Sequence, residues 1–195
     1  MSLIRTLEGE PTSDAAKDMY ASEQRRWGYL PNYAPLFALR PDVYAGWVAL
    51  NGSVKRGMTA RQYELATLGA ALALGSSYCS LAHGEMLVSD HLTADQVAAI
   101  ARGEDAGLDA ADRAVVAFAG LVARNASRVT EDDLTPLRDA GLTDDEIFGV
   151  VLAAAARCFF STVLDATGTL ANVEFASMPS DLRDALTVGR PIATA

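Results

Sequence analysis

The chain has 195 residues, half of them hydrophobic and 21% charged, with 25 acidic against 16 basic side chains and a formal charge of −9. This composition predicts one globular domain over residues 1–195 and excludes a collagen-like or low-complexity chain, because there are only 15 Gly and 7 Pro. The acidic balance and the lack of a Lys/Arg cluster argue against nucleic acid or an anionic membrane as a partner, since both are recognised through concentrated positive charge.

The N-terminal part of the chain is predicted to hold two helices. Alanine accounts for 36 residues of the whole sequence, which favours helix. A cap at Thr12 or Ser13 predicts a first helix that ends near Trp27. Two prolines then break the chain before a second helix, which Pro41 opens and which continues to about Asn51.

Three boxes of the form Thr-x-x-Gln or Thr-x-x-Glu mark further helix starts, because the threonine and the third residue after it can cap each other's backbone groups. The first of these helices should stop at Gly75, and the last should run over 144–167 as the longest and most apolar helix. Other predicted helices cover 78–90, 109–125, the segment between Thr130 and Gly141, and 181–186. The boxes are Thr59 with Gln62, Thr93 with Gln96 and Thr143 with Glu146.

No strand-like alternation of apolar and polar residues is present, so the sequence predicts an all-α, single-domain bundle of seven or eight helices. Residues 169–195 differ in composition and are predicted to form a C-terminal tail or arm, which either packs over the body or reaches a neighbouring subunit. The N-terminus has no basic segment followed by an apolar run, and no apolar stretch of about 18 residues is uninterrupted. These features predict a cytoplasmic protein with no membrane partner.

Chemically useful side chains concentrate between Glu64 and His83. Cys79 follows a Gly-Ser-Ser turn and should lie in the first turn of its helix, where unpaired N–H groups and the helix dipole favour a thiolate. His83, four residues later on the same face, is close enough to take the thiol proton. Glu64 lies in the preceding helix and could orient the imidazole or relay protons, provided that the crossing angle of the two helices brings it near.

This segment resembles the alkylhydroperoxidase D-like and carboxymuconolactone decarboxylase superfamily, whose peroxidase branch carries a Glu, a Cys-x-x-Cys and a His four residues after the second Cys. Glu64, Cys79 and His83 match that pattern. The segments 28–32, Gly-Tyr-Leu-Pro-Asn, and 188–191, Val-Gly-Arg-Pro, are similar to the subgroup called peroxidase-related proteins. The resemblance extends over most of the chain and implies an alkylhydroperoxidase D-like helical bundle that forms a homo-oligomer, a trimer or a hexamer.

One position departs from the family pattern, because Ser76 stands where the first cysteine of the pair is expected. The resemblance implies that Cys79 attacks hydrogen peroxide or an alkyl hydroperoxide and becomes a sulfenic acid, with His83, Glu64 and Ser76 in a proton relay. A serine cannot condense with a sulfenic acid. We therefore expect a thiol-dependent, peroxidase-like protein that uses an external thiol as reductant.

Two other interpretations stay open. Cys79 could be a buried small hydrophobe, in a non-catalytic helical oligomer that keeps the pocket for a small molecule or another protein. The other interpretation is a decarboxylase or another acid–base enzyme that acts on a lactone-like acid, as the superfamily name suggests. Cys79 would then have no assigned role. Cys158 is predicted to lie in the core and His91 at the surface. No metal or cofactor is expected, because zinc-ligand spacing and a Gly-rich phosphate loop are both missing.

Overall fold

The described residues, 3–7 and 9–194 of this computed structural model, are mostly helical. Ten α-helices lie in this part of the chain, where the only β pairing is an isolated bridge between Ala171 and Ile192. The all-α prediction is confirmed, and the helix count is higher than the seven or eight expected. The helices are α1 (Asp14–Trp27), α2 (Ala34–Phe37), α3 (Pro41–Arg56), α4 (Ala60–Leu74), α5 (Ser77–Asp90), α6 (Ala94–Arg102), α7 (Ala110–Asn125), α8 (Glu131–Asp139), α9 (Asp144–Thr167) and α10 (Ser180–Leu186).

The capping boxes open helices where the sequence predicts them. At the start of α4 the Thr59 hydroxyl accepts the backbone N–H of Gln62 at 3.2 Å, and the Gln62 side chain accepts the backbone N–H of Thr59 at 3.3 Å. The same reciprocal pairing occurs at Thr93 and Thr143. Gly75 ends α4 in the left-handed conformation that glycine adopts without steric cost.

The second and third helices differ from the prediction. The single turn of α2 includes Pro35, although that proline was predicted to break the chain. Proline is compatible with a first helical turn, because the N–H that it lacks has no helical partner there. In turn, α3 continues to Arg56 rather than ending near Asn51. Val54 packs into the core, and this burial outweighs the weak helix propensity of the Gly-Ser pair before it.

The scaffold of the molecule is α4, which packs against α5, α7 and α9. At Gly69 a Cβ atom would lie 2.5 Å from the carbonyl oxygen of Val116, so the backbones of α4 and α7 are in direct contact at this point. Such close packing fixes the position of α4. The α5 helix then folds back along α4 after a turn of two residues.

By length and composition, α9 is apolar enough to cross a membrane, but 56% of its most apolar window is buried inside the protein. It packs against α3, α4 and α7 as a core helix. One charged side chain, Arg157, interrupts this apolar window and is itself buried. The position of that charge is important for the site described below.

The C-terminal segment packs over the body of the protein as far as residue 194. The backbone N–H of Gly189 donates to the Ser77 hydroxyl at 2.7 Å, at the start of α5. Further along, the N–H of Ala193 donates to the carbonyl of Ala171 at 2.9 Å. The tail thus braces the turn that precedes Cys79.

Replacing Gly189 with alanine should lower the free energy of unfolding by about 1–3 kcal/mol, the usual cost of overpacking. The new Cβ would lie 2.0 Å from the carbonyl oxygen of Gly75. Gly46→Ala is the matched control, because nothing lies within 4 Å of that Cβ position and alanine stabilises an exposed helix by up to about 1 kcal/mol. Urea unfolding of both variants measures the difference. A wild-type midpoint for Gly189→Ala would contradict the tight contact.

Candidate active site

A cavity of about 60 Å³ opens between α1, α3, α4, α5 and α9. Cys79 and His83 line it from α5, and Arg157 lines it from α9. We call this space the active-site cavity. It has room for a few water molecules or a group of similar size. Its walls are aromatic and include Trp27, Tyr33, Tyr44, Trp47, Tyr63 and Phe160.

Glu64 and His83 are in direct contact across the α4–α5 hairpin. Glu64 Oε2 lies 2.5 Å from His83 Nδ1, and both side chains are buried. The crossing angle that sequence spacing leaves open therefore brings the carboxylate to the imidazole. The second carboxylate oxygen, Oε1, lies 3.6 Å from Lys55 Nζ of α3, so Glu64 contacts two partners at once.

The protonation states of this pair follow from burial and charge. Burial lowers the pKa of His83, and the nearby Arg157 guanidinium lowers it further, while Glu64 works in the opposite direction. Burial alone would raise the pKa of Glu64, but His83 and Lys55 outweigh it and the pKa is below the ordinary value. The pair is thus a carboxylate and a neutral imidazole at neutral pH. Nδ1–H donates to Glu64, which leaves Nε2 of His83 as a proton acceptor.

Cys79 has a charged partner that sequence reasoning missed. Arg157 Nη1 donates to Cys79 Sγ at 3.4 Å, and the two side chains are only 4% and 2% exposed. The guanidinium lies over the stacked rings of Trp47 and Phe160, 5.7 and 5.6 Å from their centroids. Burial works to lower the pKa of Arg157, but Cys79 and Tyr63 raise it above the ordinary value. Arg157 is therefore a permanent cation beside the thiol.

A signal for Arg157 is present in the sequence, because it is the one charged residue in the run of 18 residues from 147 to 164. A buried arginine is rare unless it is paired. The run itself was predicted to be core, and the charge within it marks the place where the core helix contacts Cys79. Its partner could not be identified, because Arg157 and Cys79 are 78 residues apart.

The four predicted site residues do not all come together. Cys79 and His83 line the active-site cavity and Glu64 contacts His83 from behind the lining, whereas Ser76 is fully buried outside that lining. Ser76 lies at the N-cap of α5 and makes no hydrogen bond to Cys79 within the described part of the chain. The predicted place of Ser76 in a proton relay therefore has no contact to support it.

Cys158 is half-buried rather than fully in the core, and both cysteines are free. It follows Arg157 directly on α9, and consecutive helical residues point about 100° apart. Because Arg157 faces Cys79, Cys158 points elsewhere. No three His, Cys, Asp or Glu side chains form a possible metal site within the described ranges.

The profile of the Carboxymuconolactone decarboxylase family matches residues 41–106, which include Glu64, Cys79 and His83. The structure of an uncharacterized peroxidase-related protein from Ralstonia eutropha JMP134, described as an alkylhydroperoxidase AhpD core, is 25% identical in sequence and aligns with a TM-score of 0.77. That alignment covers 97% of this chain and 98% of the other. Residues 41–106 thus match the Carboxymuconolactone decarboxylase family, and the chain as a whole shares the fold of an AhpD-like protein.

More distant structures share the superfamily fold. An uncharacterized peroxidase-related protein from Silicibacter sp. TM1040 is 20% identical, with a TM-score of 0.76 over 90% of this chain and 94% of that one. The debrominase Bmp8 is 16% identical, with a TM-score of 0.68 over 93% and 95% of the two chains. A variant of that debrominase is known in complex with 2,3,4-tribromopyrrole. A search of curated proteins gave no significant match.

Acidification should destabilise the protein through His83. Because its pKa is lower in the folded than in the unfolded chain, below about pH 6.5 the unfolded chain binds a proton that the folded chain does not. Stability should fall there by up to about 1.4 kcal/mol per pH unit. His83→Gln should remove this part of the slope, and His91→Gln, which replaces the other histidine, should keep it. Urea unfolding between pH 7 and pH 5 measures the slopes. Identical slopes in all three proteins would contradict a neutral, buried His83.

Proposed function

We propose that the protein is a thiol peroxidase, which reduces hydrogen peroxide or an alkyl hydroperoxide through a sulfenic acid on Cys79. One observation carries the proposal: a buried thiol accepts a hydrogen bond from a buried guanidinium, in a cavity that also holds a neutral imidazole. The alkylhydroperoxidase-like fold supports the same reaction class. The fold also supports an enzymatic role, because the structural neighbours include a debrominase as well as peroxidase-related proteins.

Arg157 is in position to stabilise negative charge on the sulfur of Cys79. A buried cation without an anion is costly, because the surrounding protein replaces its hydration poorly. Ionisation of Cys79 supplies that anion at 3.4 Å. The thiol proton passes to Nε2 of His83, and Glu64 stabilises the resulting imidazolium through Nδ1.

The thiolate sulfur then attacks the terminal oxygen of the hydroperoxide. The S–O bond forms as the O–O bond breaks, so that the sulfur is oxidised and the peroxide is reduced. The leaving alkoxide takes the proton from the His83 imidazolium and departs as the alcohol, or as water from hydrogen peroxide. The reaction is Cys79–SH + ROOH → Cys79–SOH + ROH.

A second candidate is the binding of a small aromatic molecule without turnover. The observation in its favour is the set of seven aromatic side chains, Tyr78 included, that lines the active-site cavity. The fold also occurs in a debrominase variant bound to 2,3,4-tribromopyrrole. The two candidates differ in what happens to Cys79: a hydroperoxide oxidises it in the peroxidase, and it stays a thiol in the binding protein.

The proposed peroxidase works as a homo-oligomer, a trimer or a hexamer, in the cytoplasm. Four exposed apolar residues on α9 follow the i, i+4, i+7, i+11 spacing of a helix-packing seam. We propose that a second copy of the chain covers this seam, which we call the α9 face. The α9 face consists of Phe148, Leu152, Ala155 and Phe159.

The proposed cytoplasmic location fits the two free cysteines, because thiols stay reduced in that compartment.

Phe148→Glu should weaken the oligomer, because it places a charge in an apolar seam. Phe148→Leu keeps the seam apolar and should leave the assembly intact. Sedimentation velocity at micromolar concentration measures the mass of each. A monomeric wild-type protein, or an assembly unchanged by Phe148→Glu, would contradict the proposed seam.

Reduced protein mixed with hydrogen peroxide and a dimedone-type trap should carry the adduct on Cys79, as located by mass spectrometry. Arg157→Met should slow its formation by about tenfold or more, since a hydrogen bond to a charged group is worth about 1.5–3 kcal/mol. Arg157→Lys should restore part of the rate, which a purely structural role would not predict. Cys158→Ser is the matched control and should react like the wild type. Unmodified Cys79 in a folded, reduced protein would favour the binding candidate instead.

A further inference from the structure

The reduction of Cys79 has a steric restriction. The side chain is 2% exposed, at a cavity of about 60 Å³. In proteins with two neighbouring cysteines, a disulfide can be presented to a partner, but here Ser76 replaces the first cysteine and Cys158 points away. A sulfenic acid on Cys79 must therefore be reduced inside the cavity, and the reductant has to enter it.

The lining of this cavity is cationic. Three basic side chains, Arg26, Lys55 and Arg157, line it, and no Asp or Glu is among the described lining residues. This lining contrasts with the −9 charge of the chain. Two carboxylates lie behind the lining and are engaged there. Glu64 contacts His83 and Lys55, and Glu23 accepts a hydrogen bond from Tyr33.

The three cations differ in depth. Arg26 is exposed, Lys55 is half-buried, and Arg157 is buried beside Cys79. No carboxylate forms an ion pair with Arg26 within the described part of the chain. The series therefore runs from solvent to the sulfur, which is the arrangement that attracts and guides an anion into a cleft.

Arg157, the innermost of the three cations, has a hydrogen-bond donor without a partner. Its Nη1 is used by Cys79, while its Nε is buried and has no hydrogen-bond partner. An unpaired buried donor is costly, and a bound acceptor would satisfy it. A carboxylate is the acceptor that a guanidinium binds best in such a place.

On the basis of the peroxidase function proposed above, we propose that the reductant is a small monothiol that carries a carboxylate, and not a protein thiol. The carboxylate meets the cations Arg26, Lys55 and Arg157, and the thiol reaches the sulfur of Cys79. The narrow cavity excludes a folded protein from that sulfur.

The reduction takes two thiol molecules. In the first step the thiol sulfur attacks the sulfenic sulfur, an S–S bond forms, and water leaves: Cys79–SOH + RSH → Cys79–S–S–R + H2O. A second thiol attacks the sulfur of the bound thiol, which gives Cys79–SH and the disulfide RS–SR. Cys79 regains two electrons, and two thiols lose one electron each.

Charge selection can be tested without peroxidase turnover, by alkylating the reduced protein. Iodoacetate and iodoacetamide are close in size and differ by one negative charge. The ratio of their rates at Cys79 should exceed the ratio at Cys158 in the same chain by about tenfold. Arg26→Met, at an exposed position, should lower the ratio at Cys79 several-fold, and high salt should do the same. Equal ratios at the two cysteines would overturn the proposal, whatever the outcome with peroxide.

The reductant itself is tested on protein whose Cys79 has first been oxidised by peroxide. Three small thiols, 3-mercaptopropionate, 2-mercaptoethanol and cysteamine, carry negative, zero and positive charge. Each rate is divided by the rate of the same thiol with a small disulfide in solution. The order should be negative above neutral above positive. Faster reduction by cysteamine, or by a dithiol protein of the thioredoxin type, would overturn the proposal. Failure to form a sulfenic acid at all would instead refute the peroxidase function.

Discussion

The contact between Arg157 and Cys79 is the interaction on which the rest of the site depends. A guanidinium buried in an apolar helix needs an anion, and the sulfur at 3.4 Å is the group in position to become one. The same cation disfavours protonation of His83 and so keeps a proton acceptor beside the thiol. One buried charge thus lies close to both groups that the proposed reaction uses. It also explains why a charged residue is retained in the most apolar helix of the molecule.

The fold holds these groups rigidly. The α4–α5 hairpin places Glu64 against His83, the contact of α4 with α7 at Gly69 fixes the hairpin, and the tail from Gly189 braces its turn. Arg157 arrives from α9, which packs along α4. The site therefore takes its four side chains from three helices of one closely packed core: Glu64 from α4, Cys79 and His83 from α5, and Arg157 from α9. Such support gives a site defined geometry before any substrate binds.

Local signals made most of the fold predictable. Each of these signals depends on only a few neighbouring residues: the capping box of Thr59 and Gln62, the glycine at 75, and the apolar spacing of α9. In the structure each one has the effect that the sequence predicts. In the site, Cys79 and His83 are neighbours on one helix turn and could be paired from spacing alone. The contact of Arg157 with Cys79 could not, because it joins helices 78 residues apart through packing that no local pattern encodes. Ser76 shows the converse, because this motif position is near Cys79 in sequence but is not among the residues that line the cavity.

The reaction of the reduced Cys158→Ser protein with hydrogen peroxide, followed by stopped flow beside free cysteine at neutral pH, tests the role of the buried pair most directly. The sulfur of Cys79 should react about a hundredfold faster than free cysteine, because the Arg157 guanidinium, 3.4 Å away, stabilises the negative charge that develops in the reaction. A rate equal to or below that of free cysteine, in a folded and fully reduced protein, would contradict the assignment of Cys79 as a peroxidatic thiol.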